Sequence, residues 1–130
     1  MYLSLRNSML TGKYVIEYHI VLQYRGALSM LDREFFLGFI KIHILYHASK
    51  EPIFGAEMTQ ELARHGYNIS PGTLYPTLHR LAKEGYLKNS SRVVEGRVRK
   101  YYRVTAEGKQ VLEQSRKKIR ELVTEVIEEK

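Results

Sequence analysis

Two groups of side chains in this 130-residue sequence are candidates for binding or catalysis. The first is cationic. Arg80, Lys83, Lys88, Arg92, Arg97, Arg99, Lys100 and Arg103 stand against Glu84 and Glu95, so residues 70–104 carry eight basic and two acidic side chains, a net of +6. Cations at that density attract a polyanion, most often nucleic acid. The second group is His43 and His47, whose i, i+4 spacing places both imidazoles on one helix face, as metal ligands can be. No acid follows His43 in the zinc-hydrolase pattern, and no third ligand is evident along the sequence. The pair is therefore read as two ordinary histidines at the end of a buried helix, and no metal or cofactor is expected. No Ser-His-acid grouping and no phosphate-cradling glycine loop stands out, so an enzyme is not expected.

The rest of the composition narrows the class. The chain has no Cys, which excludes disulfides, thiol catalysis and sulfur-liganded zinc. At 44% apolar and 27% charged residues it has the composition of a globular domain. No apolar run approaches the roughly 18 residues that span a bilayer. Glu17, His19 and Gln23 interrupt the apolar stretches near the start, so no secretory leader is expected. The expectation is a soluble cytoplasmic protein with no membrane partner. The whole chain is +7, and the excess is concentrated: residues 51–69 are acidic, and residues 105–130 balance six basic against six acidic side chains.

Positioning the cationic stretch requires a particular order of elements. Residues 1–30 are read as an N-terminal extension of uncertain structure, containing a strand-prone run, Tyr14–Tyr24. Met30 opens a clearer pattern and is a candidate biological start. Asp32 is a suitable N-cap for a first helix to about His47 or Ala48. That helix is apolar almost all round, which suits the core and a subunit contact together. Glu51-Pro52 ends it. A short second helix runs from about Gly55 to His65, with Gly66 past its end. Ser70 and Pro71 open a third helix that runs to about Glu84, where Gly85 stops it. Pro76 should tighten or kink its first turn. Two β-prone runs, Tyr86–Val94 and Arg97–Val104, flank a Glu95-Gly96 turn as a hairpin. Thr105 caps a last helix to about Glu128, with Leu112, Ile119 and Val126 at heptad spacing and Leu122 and Val123 beside them.

Helix, helix, helix, hairpin, helix is winged helix-turn-helix order, a mainly α fold. Residues 31–104 form the expected DNA-binding domain and residues 105–130 the dimerisation helix. On the third helix Leu74, Leu78, Leu81 and Ala82 face the core. The opposite face carries Gly72, Thr73, Pro76, His79, Arg80 and Lys83, with Tyr75 and Thr77 at its flanks. That face is small and polar near the helix start, which permits close approach to a major groove about 12 Å wide. Arg97 and Arg99 of the hairpin can reach phosphates or an adjacent narrow minor groove.

These residues resemble a known family. Ser70-Pro71-Gly72-Thr73-Leu74-Tyr75-Pro76-Thr77-Leu78-His79-Arg80-Leu81, followed by Glu84-Gly85-Tyr86-Leu87, is similar to the recognition-helix signature of the PadR transcriptional regulators. Gly96 to Tyr102 and Thr105-Ala106-Glu107-Gly108 resemble that family's wing and its junction with the last helix, and Phe36 to Ile40 its first helix. The resemblance covers about residues 31–130. It implies DNA contacts at Ser70, Thr73, Tyr75 and Thr77 and at the nearby basic residues, with the wing at Arg97, Arg99 and Lys100. It implies a homodimeric repressor on a pseudo-palindromic operator, formed through the first and last helices. Phe35, Phe39, Leu112, Ile119, Leu122, Val123 and Val126 are the expected interface residues. The single last helix looks like the small subfamily. Some family members sense flat aromatic effectors at the dimer interface; with no Trp, this chain would recognise one through Tyr, Phe and aliphatic side chains. A winged-helix module for RNA or a protein partner is the alternative that the cationic hairpin leaves open.

Overall fold

The computed structural model describes residues 27–130, with side chains from Arg33 onward. The strand-prone run Tyr14–Tyr24 lies outside the described residues. Helix α1 spans Ala27–Lys50, α2 Gly55–Arg64 and α3 Pro71–Lys83. Strands β1 (Leu87–Val94) and β2 (Arg97–Val104) form an antiparallel pair, and α4 (Ala106–Leu122) runs into a π-helical turn at Val123–Ile127. This is the mainly helical winged-helix architecture expected. No helix among the described residues is long and apolar enough to cross a membrane.

The first helix starts earlier than expected. Asp32 lies inside α1 and is not its N-cap. The residues before it, Ala27-Leu28-Ser29-Met30-Leu31, are mostly strong helix formers with no breaker among them, so the helix propagates back through them. Its buried face is Ile40, Ile44, Leu45 and Ala48. These pack with Met58 and Leu62 of α2, Leu74, Leu78 and Leu81 of α3, Leu87, Tyr102 and Val104 of the hairpin, and Leu112 of α4. One core thus serves every element.

The chain between α1 and α2 does more than turn. Ile53 donates to Tyr102 O at 2.9 Å and accepts from Tyr102 N at 2.7 Å, adding a one-residue bridge to the edge of β2. The bridge pins the base of the hairpin to the helical body. Glu95 and Gly96 both take positive φ, 51° and 76°. That is what a tight two-residue hairpin turn demands, and Gly96 adopts it without a steric cost. Toward this turn the hairpin leaves the core: Val93 and Val98, paired across the strands, are 75% and 74% exposed.

Thr105 makes the decisive joint. Its hydroxyl donates to Gly85 O at 2.5 Å and accepts from Gly108 N at 3.0 Å. One side chain therefore closes the turn after α3 and caps α4, a contact of about 1 kcal/mol for the cap alone. Gly108 is buried against the Tyr86 carbonyl and the Val104 side chain, with no space for a Cβ.

The end of α4 also departs from expectation. The helix widens at Val123, where Glu128 N donates to Val123 O at 3.0 Å in an i+5 bond. The turn is rich in β-branched residues (Val123, Thr124, Val126 and Ile127), which are weak helix formers. Each π-helical residue turns less about the axis than an α-helical one, so Val126 leaves the stripe of Leu112 and Ile119.

Candidate nucleic-acid interface

Helix α3 begins as its sequence requires. Ser70 is extended and Pro71 takes the first helical position. Ser70 supplies no side-chain cap bond; its Oγ lies 3.3 Å from Thr73 Oγ1 instead. Ser70 O accepts from both Thr73 N (3.0 Å) and Leu74 N (2.9 Å), a tightened first turn. Pro76 stays within one continuous helix. Thr77 Oγ1 returns a bond of 2.7 Å to Thr73 O one turn back, so both threonines are half-buried and partly occupied locally.

The outward face is open. Ser70, Gly72, Tyr75, Pro76, His79, Arg80 and Lys83 are all exposed, while Leu74, Leu78 and Leu81 hold the opposite face in the core. Tyr75 leans over the start of α2, where a Cβ on Gly55 would fall 2.5 Å from its ring. The glycine is what allows the Tyr75 ring to lie there.

The hairpin separates its two faces by pairing. On one face Lys88 pairs with Arg103, Arg92 with Arg99, and Val94 with Arg97. Like charges directly opposite repel. Two of these guanidinium groups lie on aromatic rings: Arg99 stands 4.2 Å from the Phe54 centroid and Arg92 4.4 Å from that of Tyr101. Such stacking attracts a cation to the ring face and offsets part of the repulsion. Arg97 and Lys100 are exposed, whereas Arg99 is half-buried by its stack.

Tyr75, Gly55, Phe54, Arg97, Arg99 and Lys100 line one cleft of about 560 Å³. It brings together the start of α2, the N-terminal half of α3 and the turn end of the hairpin. Below it, the Tyr102 hydroxyl is buried with no hydrogen-bond partner among the described residues, and burial, helped by Tyr75, holds its pKa above the usual tyrosine value. Phe54 and Gly55 had no functional signal in the sequence. Both act through neighbours distant in the chain.

The expected subunit residues fall into two groups. Phe35, Phe39, Ile119 and Leu122 line a mostly apolar groove of about 590 Å³ between α1 and α4, with Ile42 and Val111 between them. Phe35 is 54% and Leu122 48% exposed, and the Phe35 and Phe39 rings meet edge to face at 4.6 Å. Val123 is half-buried and Val126 is exposed on the π-helical turn. Leu112 is corrected: it is 4% exposed and packs in this chain's own core, because the first turns of α4 lie on the wing base and α1.

The histidines are not the isolated pair expected. His65 stacks on His43 with centroids 4.6 Å apart, and Glu61 approaches both His47 and His65. Burial, then the neighbouring His65 and His47, hold His43 below the usual imidazole pKa, while Glu61 opposes them. Burial also raises Tyr67, whose ring meets His43 edge-on. The missed signal was a second i, i+4 pair, Glu61 on α2 and His65 at its C-terminal cap.

The model of the transcriptional regulator PadR-like family matches residues 44–114, from the core face of α1 through the wing into α4. The chain belongs to the PadR-like family of transcriptional regulators. It is 50% identical over 95 residues to the transcriptional regulator Rv3488 of Mycobacterium tuberculosis, covering 73% of this chain and 89% of that one. The crystal structure of a PadR family regulator from Eggerthella lenta superposes with a TM-score of 0.69 at 31% identity, over 82% of this chain and 95% of that one. A PadR-like regulator from Bacillus cereus gives a TM-score of 0.64 at 32% identity, over 70% and 90% of the two chains. The PadR-like family is one of regulators, not of enzymes.

Proposed function

We propose that this chain is a homodimeric, sequence-specific DNA-binding repressor acting in the cytoplasm on a pseudo-palindromic operator. The observation that carries this reading is the shared cleft: Tyr75 of α3 and Arg97, Arg99 and Lys100 of the wing line the same depression. A duplex laid against it meets the helix face and the cationic ribbon at once. Helix α3 enters the major groove, with Ser70, Gly72, Thr73, Tyr75, Pro76 and Thr77 near its leading end. His79, Arg80 and Lys83 follow along the helix. Arg97, Arg99 and Lys100 hold phosphates or the adjacent minor groove.

The apolar groove between α1 and α4 supports the dimer. Exposed Phe35 and Leu122 and half-buried Phe39 and Ile119 form a stripe that would meet its own copy across a two-fold axis, with Val123 beside it and Val126 offset by the π-helical turn. Two-fold symmetry then sets the recognition helices in successive major grooves about 34 Å apart. A flat aromatic effector would enter the same groove, against Phe35 and Phe39, and act by altering the dimer.

The test is a footprint and a titration on the DNA upstream of the protein's own gene. The expected outcome is a protected two-fold site, bound at least about 1,000-fold more tightly than unrelated duplex and weakening steeply with salt. Equal affinity for any duplex overturns the reading, and tighter binding to RNA favours the other winged-helix role.

A further inference from the structure

We propose that His43, His47, Glu61 and His65 form a binding site for one divalent first-row transition-metal ion of the zinc class, bridging α1 and α2. Helix α1 supplies one i, i+4 pair, His43 with His47, and α2 with its C-cap supplies another, Glu61 with His65, and the two pairs face one another. One ring nitrogen from each histidine lies within 4.8 Å of the others. Glu61 Oε1 stands 3.5 Å from His47 Nε2 and 3.5 Å from His65 Nε2. In a tetrahedral site with bonds of about 2.0–2.1 Å, neighbouring ligand atoms are about 3.3 Å apart. The two carboxylate edges, to His47 and to His65, are within about 0.2 Å of that length. The imidazole triangle closes to it when each ring moves by about 1 Å or less.

The donor set selects the ion. Three imidazoles and one carboxylate suit zinc, cobalt or nickel; magnesium and calcium prefer all-oxygen shells. The second oxygen of Glu61 is held by Arg64 at 2.9 Å, which leaves Oε1 directed at the histidines. Such an outer partner is the usual device for fixing a ligating carboxylate. His47 and Glu61 are about one quarter exposed and His65 nearly half, so an ion can enter from solvent. A plain network of surface ion pairs is the competing account. It requires Glu61 but gives no reason for three imidazoles to converge.

The experiment uses untagged, chelator-treated protein titrated with cobalt chloride, in parallel with zinc and magnesium chloride. The expected result is one cobalt per chain with the intense visible bands of a four-coordinate ion, displaced by zinc and unaffected by magnesium. Because His65 is exposed, His65→Gln leaves the fold intact by circular dichroism and weakens binding about 100-fold; His43→Asn with His47→Asn abolishes it. Absence of saturable one-to-one binding overturns the proposal. So does binding that survives these substitutions, or an octahedral cobalt spectrum. None of these readouts involves DNA, so the site stands or falls separately from the regulatory function.

Discussion

The two exposed faces of this molecule are built from opposite materials. The α3 and wing face is polar, cationic and anchored from behind by a dense leucine core. The α1 and α4 face leaves apolar side chains open, Phe35 of α1 and Leu122 of α4 among them, and residues 105–130 carry zero net charge. A cationic face repels its own copy and attracts a polyanion. A mostly apolar face does the reverse, since removing it from water is favourable; the charges that line it are Lys117 and Lys118, and Lys118 is paired with Glu121. One small core thus presents two surfaces with incompatible partners, and Thr105 joins the elements that carry them.

The largest break of that division is expected from Leu122→Asp. In the proposed dimer two-fold symmetry buries the substituted residue twice, so association should weaken by about 4 kcal/mol. Sedimentation should give the monomer mass, with circular dichroism unchanged; a retained dimer would mean that the open groove has another use. Gly108→Ala attacks the joint between the faces. Its Cβ has no space against the Tyr86 carbonyl, so unfolding in urea should show a loss of about 3 kcal/mol. Thr105→Ala at the same joint should cost less, about 1–2 kcal/mol.

Smaller substitutions sharpen the cationic side. Arg97→Ala should lower the slope of log affinity against log salt by about 1.8 per dimer, one phosphate contact in each subunit, and leave stability unchanged. Arg99→Ala should give the same slope change plus a stability loss of about 0.5–1 kcal/mol, because Arg99 also stacks on Phe54. Equal stability of the two variants would show that the stack contributes nothing. Val98→Thr, at an exposed site, should change thermal stability by less than about 0.5 kcal/mol.

The features legible in the sequence are those decided by local chemistry. Ser70-Pro71 marked a helix start, Glu95-Gly96 a tight turn and Thr105 a cap, since each constraint acts within a few residues. Leu112 was not legible as core, because heptad spacing specifies a helix face without saying what covers it. The groove-side assignment of Ile119 and Leu122 needed the packing of α1 for the same reason. Phe54 beneath Arg99, Gly55 beneath Tyr75 and Ile53 beside Tyr102 are contacts across long stretches of chain. The histidine cluster shows the point within one site: His43 and His47 were visible as a pair, but Glu61 and His65 join them only when α2 folds back.

The hairpin has a consequence of its own. Its base is tied by the Ile53–Tyr102 bridge and its middle by the Arg99–Phe54 stack, while Val93 and Val98 nearer the turn are three-quarters exposed. The end of a two-stranded ribbon with so little buried apolar surface opens at little cost. Amides near the turn should therefore exchange with heavy water orders of magnitude faster than those near Tyr102. The ribbon is a soft fingertip on a stiff palm. Whatever it grips must first quiet it, and the lost disorder is subtracted from the attraction of its charges.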